Sequence, residues 1–213
     1  MNKILKTTKA IALGAVTTAF LASSAYAATV GSAATGSASV GGFVMNGGQA
    51  MVDVSNGAYT SVPGDTSPES TWVWDEAGSQ SVNTTNTFVW TFDLTGYDLT
   101  TAVLTGLWGV DNFGTASLNG AVIGTIDFGF DAFQTLEAVS DGTNTPVFVA
   151  GINTLSFSAT NGYQSGSGNP GPGAFRTGVT VTADVSPVPL PAAGLLLIGA
   201  LGGLGLMRRR KKS

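Results

Sequence analysis

The 213-residue chain has no cysteine and no histidine. No disulfide can hold its fold, and Cys-His, Ser-His-Asp and His-ligated metal chemistry are all excluded. Charge is scarce as well, at 10% of residues, and it is unevenly placed. Lys3, Lys6 and Lys9 stand at the start, Arg208, Arg209, Arg210, Lys211 and Lys212 at the end, and Arg176 is the single cation between residues 28 and 187. All thirteen acidic residues fall in that middle segment, so one cation against thirteen acids leaves it at −12 behind a formal net charge of −4. Such a surface repels phosphate backbones and anionic lipid, which excludes nucleic acid as a partner. It is compatible with cations and with neutral glycans. The segment also lacks lysine, which removes Schiff-base catalysis. At about 160 residues it is long enough to bury a real core without a covalent staple.

Long apolar runs are confined to the two ends. Near the start, the three lysines precede an apolar stretch over residues 10–21 and then Ala25-Tyr26-Ala27, a small-x-small site. That order predicts a secretory signal peptide over residues 1–27, cut between Ala27 and Ala28. About 12 apolar residues are too few for a permanent membrane span. Near the end, Val188, Pro189, Leu190, Pro191 and Ala192 form a Pro-rich pentad that leads into an apolar run over 192–207 and then the five-cation cluster. The prolines fix φ and remove backbone donors, so the pentad is extended and cannot join a following helix. The run of about 16 residues would rise roughly 24 Å as a helix, less than the ~30 Å hydrocarbon core. Gly194, Gly199, Gly202, Gly203 and Gly205 weaken it further. The cations behind it would be held in the cytoplasm, leaving the rest of the chain outside.

This tail resembles the VPLPA variant of the PEP-CTERM sorting domain, over about 25 residues and with every part in order. The resemblance implies processing near the pentad by an exosortase, a membrane-embedded protease or transpeptidase. Delivery to the cell surface or an extracellular polysaccharide matrix would follow. The expected order is therefore a signal peptide (1–27), a leader (28–39), an ectodomain (40–185) and a sorting signal with a transmembrane helix and basic tail (186–213). The protein would be anchored in the inner membrane only until processed.

The centre reads as sheet. Residues 28–39 are rich in Gly, Ala and Ser and predict a flexible leader or a loose edge strand. Thereafter short strand signals recur at 40–45, 51–54, 71–75, 87–94, 102–110, 115–118, 121–126, 133–139, 146–150, 153–160 and 177–185, with no sustained helical period. Phe88, Trp90, Phe92 and Leu94 share one face at period two and should be core. Asp111-Asn112-Phe113-Gly114 reads as a turn, and Asn119-Gly120 is the strongest hairpin signal, since a type I′ turn needs φ > 0 at both central residues. The predicted class is all-β, an antiparallel β-sandwich flanked by the signal helix and the tail helix.

Residues 91–124 and 149–161, with Asp111-Asn112, Leu118 to Gly120 and Gly151 to Leu155, are similar to galactose-binding-like jelly rolls. That resemblance implies a jelly-roll sandwich, in some members with a structural Ca²⁺ and in others with a carbohydrate site on loops at one end. A glycan site wants aromatic planes beside fixed polar groups. Trp72, Trp74 and Trp108 are the candidates, Trp72 and Trp74 being expected on one strand face, against a purely packing role for all three. For Ca²⁺ the oxygen donors are Asp111, Asn112 and Asp141, against simple turn chemistry. No other cofactor is expected. Asp75 and Glu76, adjacent along a predicted strand, would point to opposite faces and cannot pair as hydrolytic carboxylates. The expectation is a non-enzymatic surface or matrix protein associated with exopolysaccharide, with a carbohydrate-binding module and, further off, a carboxylate glycosidase as alternatives.

Overall fold

A computed structural model of the chain describes residues 27–36, 41–59, 66–79, 82–140, 147–162, 171–187 and 199–202. Among them are eleven strands: β1 (Ala27–Ala34), β2 (Val44–Met45), β3 (Val52–Asp53), β4 (Val73–Trp74), β5 (Thr84–Asp93), β6 (Val103–Asp111), β7 (Phe113–Leu118), β8 (Ala121–Ile126), β9 (Glu137–Ser140), β10 (Ile152–Asn161) and β11 (Ala174–Asp184). They form two sheets of antiparallel pairs. The first runs β3-β4-β11-β6-β9, with β1 also paired to β11, and the second runs β2-β5-β10-β7-β8.

Alternation builds the interior. β5 buries Phe88, Trp90 and Phe92 and turns Thr87, Thr91 and Asp93 outward. β10 lies in register beside it, Leu155 opposite Trp90 and Phe157 opposite Phe88. From the first sheet, Phe175, Val179 and Val181 of β11 join Leu104, Trp108 and Val110 of β6 in the same core. Phe88 and Phe175 stack across the interior at 4.2 Å. Each large side chain sealed there contributes about 1.5–3 kcal/mol. Asn119 and Gly120 take φ of 51° and 83°, so the β7–β8 hairpin closes through the type I′ turn that the dipeptide requires.

Other segments depart from the sequence pattern. The stretch at 28–39, open to a flexible leader or a loose edge strand, supplies β1, which pairs along β11 from Ala27 opposite Asp184 to Ala34 opposite Gly178. Its small residues are a packing requirement: a Cβ on Gly31 would sit 3.1 Å from the Trp90 ring. Asp111 and Asn112 are not an exposed turn. Asp111 ends β6 in one sheet and Phe113 begins β7 in the other, so the pair lies where the chain crosses between sheets and is buried there. Phe133 falls in a 3₁₀ turn over Ala132–Gln134, and of the expected 133–139 strand only residues 137–139 belong to a strand, β9. Residues 147–150 form no strand. Their backbone is held by a side chain instead: Asn153 accepts from the Val149 N–H and donates to the Val149 carbonyl.

Ala25, the sorting pentad Val188 to Ala192, the cations Arg208 to Lys212, and Asp141 lie outside the described residues. Ala27 and Ala28 open β1. No helix among the described residues is long and apolar enough to cross a membrane, and of the tail only a helical turn at 199–202 is described.

Candidate functional site

Of the three tryptophans expected at a glycan site, Trp74 and Trp108 belong to the main core and are sealed from solvent. Trp108 packs 5.3 Å from Phe157. Trp72 is different. It precedes the two-residue strand β4, so the period-two rule does not carry it onto the face of Trp74. It belongs to a second, smaller cluster with Tyr59, Ala174, Phe133 and Leu136.

That cluster lies on the outer face of the first sheet. Phe175 points into the core, so its neighbours Ala174 and Arg176 point outward. Arg176 stands opposite Gly109 of β6, and a Cβ on Gly109 would meet the Trp72 ring at 2.9 Å and Leu136 at 2.7 Å. The missing side chain at 109 is what lets the Trp72 ring approach the sheet. Thr35, just past β1, fixes the approach to Trp72. Its hydroxyl donates to the Thr71 carbonyl at 2.8 Å, and its backbone carbonyl accepts from the Thr71 N–H at 2.9 Å. The Val54 N–H donates to the Trp72 carbonyl at 2.9 Å, extending the β3–β4 pairing by one step. An Asx turn at Asn56, accepting from the Ala58 N–H at 3.0 Å, then brings Tyr59 back over the sheet. The Tyr59 and Trp72 rings lie 5.2 Å apart and 31° from parallel.

Between these groups is a cavity of about 310 Å³, bordered by Asp53, Val54, Tyr59, Ser70, Thr71, Trp72 and Arg176. Arg176 donates from Nε to the Ser70 hydroxyl at 3.1 Å, and the Thr71 hydroxyl donates to Asp53 at 2.9 Å. Trp72 is 5% exposed, and its Nε1–H has no hydrogen-bond partner among the described residues. Buried donors are paired almost without exception. The Trp72 ring borders a cavity of ligand size, although the N–H itself is sealed from it.

Tyr59 also reaches inward. Its hydroxyl is 2.8 Å from Oδ2 of Asp111 and 2.9 Å from the Pro172 carbonyl oxygen. Asp111 is 3% exposed, and burial pushes its carboxyl up to about 7, against a smaller lowering from the Tyr59 hydrogen bond. The Tyr59 phenol is pushed up by burial and by that carboxyl. Oδ1 of Asp111 accepts from Nδ2 of Asn112, and Oδ1 of Asn112 accepts from the Gly162 N–H at 3.1 Å. These oxygens are each engaged by a protein donor, and Asp141, the third expected ligand, lies outside the described residues. No group of three or more metal-ligating side chains occurs among the described residues. Asp75 and Glu76 sit in the bends after β4 rather than within a strand.

The turn motifs at Leu118 to Gly120 and Gly151 to Leu155 do meet. Asn119 donates from Nδ2 to Oδ1 of Asn153 at 2.8 Å and accepts from the Thr154 N–H at 2.9 Å. Asn153 is fully buried and donates onward to the Val149 and Gly151 carbonyls. The motifs work as a polar lock between two turns, with their side-chain amides turned onto the protein's own backbone.

Asp53, Tyr59, Ser70, Thr71 and Arg176 were not marked by any local motif. Arg176 alone carried a signal, as the single cation of an acidic segment. A scan against family models finds no match to the chain, and a comparison with curated proteins finds none either.

Proposed function

We propose that this chain is an exported, non-enzymatic protein that an exosortase-type enzyme sorts through its C-terminal signal to the cell surface or extracellular matrix, where it associates with polysaccharide. The signal peptide directs the chain out. The tail holds it in the inner membrane with the pentad presented at the outer interface, and processing there releases the domain to its destination. The domain itself is a sandwich of jelly-roll type, a reading supported by the way β5, β6 and β7, and again β8, β9, β10 and β11, pass from one sheet to the other at each step.

The observation that carries the proposal is where the folded unit closes relative to the two sequence signals. Among the described residues pairing begins at Ala27, beside the expected cut, and ends with a bridge from Val185 to Tyr97 and a hydrogen bond from the Ser186 N–H to the Gly96 carbonyl. Two residues later the pentad begins. Cutting at both signals therefore removes only Ala27 from the end of β1 and leaves the rest of the sandwich, as a cargo requires. A carbohydrate-binding module is a second reading, favoured by the cavity beside Trp72. For catalysis there is little to work with: Asp111, the buried carboxyl with a raised pKa, is spent on Tyr59 and Asn112.

The test is removal of residues 188–213. The truncated protein should accumulate folded in the periplasm and be missing from the surface and matrix fractions. Its arrival in the matrix at the level of the intact chain would refute the sorting role of the tail.

A further inference from the structure

The outer-face cavity is bordered by residues of the β3–β4 connection together with Asp53 of β3 and Arg176 of β11, and its lining specifies a ligand. One side is apolar, formed by Val54 and the exposed edges of Trp72 and Tyr59, whose rings are otherwise buried beside each other. The other is polar, with Asp53, Ser70, Thr71 and Arg176. Aromatic surface and hydrogen-bonding groups in one small space suit a molecule with an apolar face and a polar rim, which is the chemistry of a sugar ring. The cavity volume equals that of about ten water molecules at ~30 Å³ each, enough for one such ring.

Charge narrows the class. The cavity brings one carboxylate and one guanidinium to its border, within a domain whose formal charge is −12. An anionic sugar would meet Asp53 at the border and the field of the whole domain on approach, with Arg176 alone opposing both. A neutral ring meets neither penalty. Its hydroxyls serve the two charged groups at once, donating to Asp53 and accepting from Arg176.

We propose that the cavity bordered by Tyr59, Trp72, Asp53 and Arg176 holds one ring of a neutral polysaccharide, its apolar face on Val54 and the exposed edges of Trp72 and Tyr59 and its hydroxyls on Asp53, Ser70 and Arg176. The inference rests on the polysaccharide association proposed above and supplies the contact through which that association is made.

The experiment uses the full chain in detergent micelles and polysaccharide extracted from the producing cells, divided by anion exchange into neutral and acidic fractions. Binding is read by calorimetry and by tryptophan fluorescence. The neutral fraction should bind, and Asp53→Asn should weaken it roughly tenfold or more, as expected for loss of a charged hydrogen-bond partner. Trp72→Phe should weaken binding and remove the fluorescence response. Asparagine keeps an acceptor for the Thr71 hydroxyl, so Asp53→Asn remains informative if Trp72→Phe folds poorly. Binding of the acidic fraction alone would overturn the assignment of a neutral ligand. Neutral binding undiminished in both variants would overturn the cavity while leaving polysaccharide association intact. No binding of either fraction would overturn both.

Discussion

Asp111→Asn should make the domain more stable as pH rises, relative to wild type. The Tyr59 hydroxyl has one proton and two acceptors in reach, Oδ2 of Asp111 at 2.8 Å and the Pro172 carbonyl at 2.9 Å. With Asp111 ionised, one of those oxygen pairs has no proton between them. With Asp111 neutral, its own O–H donates to Tyr59, and Tyr59 donates to Pro172. Burial favours the neutral form for the same reason, since the carboxylate loses its water there. The folded-state pKa of about 7 lies above the ordinary 3.8, so the folded protein binds the extra proton. The stabilisation is fully present below about pH 4 and is lost as pH rises through 7. At about 1.4 kcal/mol for each tenfold step, the interval amounts to about 4 kcal/mol. Asparagine reproduces the neutral acid: Nδ2 donates toward Tyr59 and Oδ1 accepts from Asn112. Urea unfolding followed by tryptophan fluorescence at pH 4.5, 6 and 8.5 should give near-equal stabilities at the acid end and a variant more stable by roughly 2–4 kcal/mol at the alkaline end. Repulsion among the other carboxylates acts on both proteins and cancels in the difference. A difference independent of pH would refute the neutral-acid assignment.

Other perturbations test the packing. Asn153→Ala removes the partner of the Val149 N–H and of Asn119 Nδ2 and should cost about 2–4 kcal/mol in equilibrium unfolding; a loss under 0.5 kcal/mol would mean that the polar lock is dispensable. Gly106→Ala would place a methyl group 2.4 Å from the Gly178 carbonyl oxygen, and a loss of about 1–3 kcal/mol is expected; wild-type stability would show that β6 and β11 move apart freely. Gly120→Val puts a β-branched residue at φ 83° and should slow and destabilise hairpin closure, visible as reduced stability with an unchanged dependence on denaturant.

What was legible in the chain was local. The alternation of Phe88, Trp90, Phe92 and Leu94 encodes a face directly, and Asn119-Gly120 encodes its turn through backbone sterics alone. β1 was ambiguous because Gly and Ala have the same composition in a flexible leader as in a strand narrowed to admit Trp90; only the partner distinguishes them. Asp111 and Asn112 have turn chemistry, yet they stand at a crossing between sheets, where Tyr59, 52 residues before Asp111, and Gly162, 50 residues after Asn112, decide their environment. The cavity was harder still. It joins Asp53, Tyr59, Trp72 and Arg176 through sheet order, and nothing in the spacing of those residues marks them as one site. Arg176 stood out by scarcity alone.

The most direct measurement is the intact mass of the mature protein, recovered separately from membrane, matrix and medium. Matrix-derived protein should begin at Ala28 and end at or near the Val188 to Ala192 pentad, with any attached group visible as added mass. A chain of all 213 residues, tail included, found only in the inner membrane would contradict export and sorting together.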